Sequence, residues 1–268
     1  MFAGWLKTGG FKTSVVQTQM FPGFPSRSFG NYGMIGGVPS TNLVAWFNPS
    51  INVTIGTGVS SWKDTSGTYN LSQSTGANQP SYSTANISYN NRPYLSFNGS
   101  SMFLNGGNIL NIGTNVYLDV VCIYKTLNIG TAQFVIDSTN SSSLTGRYGL
   151  GHNVTNYFAL YIDSTSQKVA AGLNNSSTVT MQMCSLDRVN GKLYESSDYQ
   201  WRLSNTATNV ENTSFINNNF MLGAGAGTTD FWNGDILDIF IYMGTTGGCM
   251  NQNDYLALRQ YMGQLYNF

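Results

Sequence analysis

Ile236-Leu-Asp-Ile-Phe-Ile-Tyr242 is β-branched or aromatic at five of its seven positions, and Gly234 just upstream marks a tight entry into it. In an extended chain Leu237, Ile239 and Ile241 fall on one face, and Asp238, Phe240 and Tyr242 on the other. Working outward, Val116-Tyr-Leu-Asp-Val-Val-Cys-Ile-Tyr124 and Tyr157-Phe-Ala-Leu-Tyr-Ile162 are runs of the same kind, bounded by Gly, Asn and Ser clusters. Several such strands separated by long polar loops predict an all-β sandwich rather than alternating β/α units. Near the end, Asn251 or Asn253 can cap a short helix, which places Tyr255, Leu258, Met262 and Leu265 on one stripe that packs on the sandwich. No repeat of 20 to 50 residues is present, which argues against a solenoid or propeller.

The chain has 268 residues, enough for one large β domain. Hydrophobic residues make up 41%, which excludes a disordered chain. Charged residues make up only 9%, while Asn alone occurs 31 times. Such a surface is solvated by neutral amides and hydroxyls, and it suits either crowded arrays or hydrogen bonding to sugars. Formal charge is zero but unevenly spread. Lys7, Lys12 and Arg27 lie in the first 40 residues, where there is no acid; the remainder carries nine basic and twelve acidic residues. A basic arm on a mildly acidic body is the pattern of a docking segment, and three charges are too few for nucleic acid. Cys122, Cys184 and Cys249 lack metal-ligand spacing and read as free thiols, the first two in apolar runs. The start, Met1-Phe-Ala-Gly-Trp-Leu-Lys7, does not read as a secretory signal, and no run of 18 apolar residues predicts a membrane span.

Residues 1–40 differ from the rest: they hold eight glycines, three prolines and scattered large apolar groups without sustained periodicity. The division predicted is an extended Gly/Pro/aromatic arm over 1–40 and a single domain over 41–268. Phe2, Trp5, Leu6 and Phe11 cannot form a core of their own and are expected to anchor the arm on another subunit.

Four blocks of this sequence carry a resemblance. Leu43-Val-Ala-Trp-Phe-Asn-Pro-Ser50 is followed by Val59-Ser-Ser-Trp-Lys-Asp-Thr-Ser-Gly67 and then Asn70-Leu-Ser-Gln73. Asn91-Arg-Pro-Tyr-Leu-Ser-Phe-Asn-Gly99 with Phe103-Leu104 comes next, then Phe231 to Tyr242, then the closing helix. Together they resemble laminin G-like domains of the concanavalin A-like lectin/glucanase superfamily over residues 43–268. The resemblance implies a two-sheet antiparallel jelly-roll sandwich. As structure, Trp46, Trp62, Phe97, Leu237, Ile239 and Ile241 are expected between or against the sheets. Asp64, Ser66 and Gly67 should form a turn whose carboxylate accepts backbone N–H groups, and Asn98-Gly99 a hairpin. Asn98 and Asp238 stand where the family commonly has Asp and Glu, which weakens any borrowed metal role.

The residues argue against catalysis. Glucanases on this scaffold carry spaced acids on one strand, yet the two glutamates, Glu195 and Glu211, sit in polar loop-like stretches. Asp235 and Asp238 are three apart, which puts them on opposite faces of a regular strand. The single histidine, His152, has no Gly-x-Ser-x-Gly elbow to serve. No cofactor is expected; Asp230 with Asn233 is a weak calcium candidate. An exposed loop holding Tyr148, His152 and Asn153 is a candidate glycan contact. The expected function is a non-enzymatic virion protein of the phage kind, a capsid decoration, head fibre or tail-associated subunit on the virion surface. Its expected partners are other virion proteins, further copies of itself and cell-surface glycans, with no nucleic acid and no membrane span. The alternative is a secreted or cell-surface carbohydrate-binding module.

Overall fold

The computed structural model describes residues 34, 35, 37–109, 113, 114, 116–140, 143–162, 167–174, 177–202, 206–212, 219–225, 228–245 and 249–268. Short strands come first: β1 (Met34–Ile35), β2 (Val38–Pro39), β3 (Leu43–Phe47), β4 (Val53–Ile55), β5 (Val59–Lys63), β6 (Asn70–Ser72), β7 (Ser81–Ser83), β8 (Tyr94–Asn98) and β9 (Leu104–Gly107). Mostly longer ones follow: β10 (Tyr117–Thr126), β11 (Gln133–Asn140), β12 (Ser143–His152), β13 (Asn156–Ile162), β14 (Gln167–Asn174), β15 (Val179–Asp187) and β16 (Lys192–Ser197). The chain ends with β17 (Ala207–Thr208), β18 (Asn219–Leu222), β19 (Asn233–Gly244) and the helix α1 (Gln252–Tyr266).

Two antiparallel sheets form the expected sandwich. The first runs β17-β16-β15-β10-β19-β8-β7 and the second β14-β13-β12-β11-β18-β9-β6-β5-β4. β10 lies along one edge of β19, while β8 and then β3 share its other edge. Between the sheets, Leu118, Val120, Cys122, Ile239 and Ile241 of the first meet Trp62, Leu71, Leu104, Leu150 and Tyr157 of the second. Alternate residues of β10, β15 and β19 face the other way, where Val121, Ile123, Met183 and Phe240 pack under α1. The first sheet is therefore buried on both faces along these strands, which explains their continuous apolar runs.

α1 begins as the sequence predicts, with the Asn251 side chain accepting from the Asp254 amide. Tyr255, Leu258 and Met262 are fully buried, Leu265 is half-buried, and Tyr266 adds a buried position outside the predicted stripe. Val38 is buried in the same cluster, so the folded body takes in residues that the sequence places in the arm. The predicted turn at Asp64 is also present: its carboxylate accepts from the amides of Ser66 at 3.1 Å and Tyr69 at 2.8 Å. All three cysteines are free and buried.

Five expectations fail for local reasons. Opposite β10, Asp238 pairs with Ile123 but Ile236 with Tyr124, so Leu237 is the extra residue of a β-bulge. The bulge breaks strict alternation: Leu237 joins the cluster under α1, while Ile239 and Ile241 face the inter-sheet core. For the same reason Asp235 and Asp238 share a face, the first bonded to Tyr89 and the second to Tyr266, both in the helix-side cluster. Trp46 is not an inter-sheet anchor; Ala45 and Phe47 point inward, and Trp46 stacks on Phe240 at 5.4 Å on the helix side. Asn98-Gly99 makes a tight turn, with Gly99 at φ +72 and Asn98 Oδ1 accepting from three following amides. It is not a hairpin, because β8 belongs to the first sheet and β9 to the second. A Cβ at Gly99 would sit 2.7 Å from Asn233 Cβ, so both φ and space demand glycine there. Finally, Glu195 lies within β16 and is buried, not in a loop.

Candidate functional site

On the outer face of the second sheet, strands β5, β6 and β9 form the floor of an open groove of about 730 Å³. Trp62, Leu71 and Leu104 point into the core, so the residues flanking them, among them Ser61, Asn70, Ser72 and Asn105, are left on the outer face. Ser61 pairs with Ser72, and Ser72 with Asn105, which lines short polar side chains across three strands. Asn70 Oδ1 accepts from Ser61 Oγ at 2.6 Å and Asn105 Oδ1 from the Gly107 amide at 2.7 Å. Both uses engage the amide oxygen, so each NH₂ group remains available as a donor. Gly107 keeps the floor low: a Cβ there would meet nothing within 4 Å.

The walls are built from backbone and buried amides. Gln79 Oε1 accepts from the Gly58 amide at 2.9 Å, and its Nε2 donates to the Gln73 carbonyl at 2.8 Å. Gln73 in turn accepts from the Thr75 amide at 3.0 Å. These glutamines are consumed in holding the 73–80 loop, and they shape the groove instead of offering contacts. Phe103, half-buried, supplies an aromatic wall, braced by Phe231 at 6.5 Å between ring centroids. None of the residues lining the groove is ionisable. An uncharged floor of amide and hydroxyl groups with one ring beside it can bind a neutral polyol. It cannot supply the two carboxylates that glycoside hydrolysis requires.

The same face changes character toward β11 and β12. Asn105 pairs with Met221, Met221 with Asp137, and Asp137 with Gly149. Asp137 is fully buried and takes a bidentate pair from Arg147, with Nη2 at 2.7 Å and Nε at 2.9 Å. The Arg147 guanidinium lies 4.6 Å over the Phe134 ring. This closed ion pair lies beyond β18, outside the residues that line the groove.

The sequence-predicted residues lie elsewhere. Tyr148 is fully buried in β12 between the sheets, and His152 ends the same strand, also fully buried. The exposed loop expected to hold them is a strand, because Gly149 and Gly151 alternate with Tyr148 and Leu150 instead of forming a turn. His152 Nδ1 lies 3.1 Å from the Asn153 carbonyl, which can only accept, so the neutral ring carries its proton there. Nε2 faces Thr126 Oγ1 at 3.1 Å, and the ring meets Trp232 edge-on. Burial pushes the imidazole pKa down, which favours this neutral form. Asn153, half-buried, closes the β12–β13 turn by accepting from the amides of Thr155 and Asn156. Asp230 is exposed at φ +48, and Asn233 opens β19 with its amide donating to Gln133 Oε1 at 2.8 Å. Among the described residues no group of three His, Cys, Asp or Glu is placed to hold a metal. Phe2, Trp5, Leu6 and Phe11 lie outside the described residues.

Three buried carboxyls sit away from the groove. Burial pushes Glu195 up to about 8, Asp238 to about 7 and Asp119 to about 6. Asp238 accepts from Trp46 Nε1 at 2.7 Å and from the Tyr266 hydroxyl, and Asp119 from the Met250 amide at 2.8 Å. Glu195 lies between the sheets against Gly172, where a Cβ would overlap the carboxyl. All three serve packing and are closed to a ligand.

No family model and no curated protein sequence matches this chain. Among solved structures, it is similar to domain 4 of AbnA, a GH43 extracellular arabinanase from Geobacillus stearothermophilus, in complex with arabinotriose. That likeness has a TM-score of 0.58 at 15% identity and covers 82% of this chain and 99% of that one. It is also similar to Trypanosoma rangeli sialidase, with a TM-score of 0.55 at 16% identity. There 85% of this chain is covered but only 33% of the sialidase. These likenesses establish a shared jelly-roll sandwich fold.

Proposed function

We propose that this chain is a non-catalytic carbohydrate-binding domain that holds a neutral glycan in the groove over β5, β6 and β9. The observation that carries this reading is the groove's chemistry: free amide donors on Asn70 and Asn105, the Ser72 hydroxyl, the Phe103 ring and no ionisable group. Sugars offer the complement, with hydroxyls for the amides and an apolar ring face for the phenyl group. The arabinanase domain of the same fold, solved with arabinotriose, makes arabino-oligosaccharides the first probe.

Calorimetric titration with arabinotriose and a panel of neutral oligosaccharides tests the reading. Phe103→Ala should weaken binding about tenfold or more, and Asn105→Ala by about two- to tenfold, the size of one neutral hydrogen bond. Unchanged affinity in both variants overturns the groove as the site. Release of reducing sugar that a single Asp→Asn or Glu→Gln change abolishes overturns the non-enzymatic assignment.

The finer reading, a virion decoration, head-fibre or tail-associated subunit displaying this domain, is supported by the apolar, basic arm. Its contacts would be made by Phe2, Trp5, Leu6 and Phe11 on another virion protein or a further copy of this chain. Deletion of residues 1–33 should leave the domain folded and abolish its incorporation into particles. Normal incorporation would show that the arm is not the dock and take away the main support for this finer reading, and a full chain that joins no particle leaves a secreted or cell-surface module.

A further inference from the structure

The turn that follows β16 carries a second set of ligand-type groups, far in sequence from the groove. Asp198 and Arg202 both adopt left-handed backbone, at φ +48 and +45, a conformation costly for residues with a Cβ. It is held in place by bonds from main-chain amides: Asp198 N to Met181 O at 2.8 Å, Gln200 N to Ser197 O at 2.9 Å, and Arg202 N to the Ser196 hydroxyl Oγ at 2.9 Å. The result is a turn that carries Tyr199, 66% exposed, together with half-buried Trp201 and Arg202.

Two arginines near this turn are stacked on aromatic rings; the Nε of each is buried without a hydrogen bond, and only Arg259 has a carboxylate and a carbonyl beside its guanidinium. The Arg259 guanidinium lies 4.4 Å from the Tyr199 ring and 4.0 Å from the Phe268 ring. It donates to the Phe268 carbonyl at 3.3 Å and sits 3.6 Å from the Asp198 carboxylate. The Arg202 guanidinium is clamped in the same way, 4.3 Å from Tyr194 and 4.8 Å from Trp201, but among the described residues it donates to no acceptor. Its Nε is buried without a partner. The neighbouring carboxylate that feels its charge, Asp119, is fully buried and engaged by the Met250 amide instead. Burying guanidinium N–H groups unpaired is expensive, and the aromatic clamp fixes the planar fork in a single orientation. A fixed fork without an acceptor is built for a planar two-oxygen anion, which it takes bidentately.

We propose that Arg202, with Tyr199 and Trp201, forms a second binding site for a carboxylate-bearing sugar. The carboxylate pairs with the Arg202 guanidinium and the sugar ring lies against the exposed Tyr199 side chain. The groove is uncharged and suits a neutral chain, so the two sites would select different residues of an acidic heteroglycan or two separate glycans.

The test is titration of the full chain with tetragalacturonate and with its fully methyl-esterified form, which keeps the ring and removes the charge. The acid should bind, and the ester should bind at least about tenfold more weakly. Arg202→Gln should bring the acid to the level of the ester. Arg202→Lys should restore only part of the loss, because a lysine ammonium cannot form the fork. Tyr199→Ala, at an exposed position, should weaken binding severalfold without shifting the melting temperature, and this variant decides the matter if Arg202→Gln fails to fold. Phe103→Ala should leave acid binding unchanged, which separates this site from the groove. Equal affinity for acid and ester, absence of acid binding by the unaltered chain, or indifference to both Arg202→Gln and Tyr199→Ala would overturn the proposal.

Discussion

The outer faces of the two sheets have opposite fates. The first sheet's is roofed by α1 and holds Asp119, Asp235 and Asp238 in its interior, each with a hydroxyl, indole or amide as donor. At β5, β6 and β9, the second sheet's is open and lined by neutral amides and hydroxyls. The difference teaches where a charge-poor protein spends its charges. Of the eleven acidic residues among those described, seven (Asp64, Asp119, Asp137, Asp187, Glu195, Asp235 and Asp238) are buried. They act as hydrogen-bond acceptors inside the fold, and the surface is left to Asn, Ser and Thr.

The sharpest contrast between the two faces is in packing. Leu258→Ala removes a fully buried side chain from beneath α1 and should cost about 2–5 kcal/mol in chemical denaturation. Ser72→Ala on the open face should change stability by no more than about 0.5 kcal/mol. Comparable losses would mean that the groove is structural and the contrast false.

How much of this was legible in the sequence depends on the range of the signal. Ile236–Tyr242 and Val116–Tyr124 announce strands because their residue types suffice, and Asn251 announces the helix start because capping is local. The β19 bulge was invisible: it is set by the register against β10, and the sequence of β19 alone reads as regular alternation. The groove was missed because its floor pairs Ser72 with Asn105 across 33 residues, and neither Asn70-Leu-Ser nor Leu104-Asn-Gly looks like more than ordinary strand. A buried leucine beside short polar residues was the available signal, with Asn70 and Ser72 on both sides of Leu71 and Asn105 after Leu104. Tyr148 and His152 were misplaced because glycines on both sides of Leu150 imitate a loop, whereas in β12 a side chain on Gly149 would meet the Ile136 carbonyl and the Phe134 ring, and one on Gly151 the Gln133 carbonyl.

Acidity provides the next test. Glu195, Asp238 and Asp119 have folded pKa values raised to about 8, 7 and 6, above ordinary carboxyl values near 4. Between those limits the unfolded chain has lost protons that the folded chain keeps, so stability falls as pH rises from about 4 to 8. Each group contributes a slope of up to about 1.4 kcal/mol per pH unit within its own window. His152 opposes this below its usual value of 6.5, because its folded pKa is lowered and the unfolded ring gains a proton first. Three carboxyls outweigh one imidazole, so the melting temperature should be higher at pH 5 than at pH 8. Glu195→Gln should flatten the profile between about 4.5 and 8. A profile that rises with pH would show these carboxyls to be ionised inside the fold.

The smallest expected effect separates the faces most cleanly. Asn105→Asp keeps the size and shape of a side chain whose oxygen already accepts from the Gly107 amide, so the turn that it supports is retained. The change replaces the NH₂ donor with a carboxylate oxygen and puts the first charge into a groove that has none. Because Asn105 is only half-buried on an open floor, water solvates that charge and stability should move by no more than about 0.5 kcal/mol at any pH above 5. The same swap on the roofed face, Asp238→Asn in reverse chemistry, leaves an amide where Trp46 and Tyr266 both need an acceptor. That site loses about 1–3 kcal/mol, because a buried donor goes unpaired. Asn105→Asp should instead weaken neutral-glycan binding several-fold, through the lost donor alone, while melting stays unchanged. If it melts like Asp238→Asn, the floor of the groove is as closed as the face beneath α1.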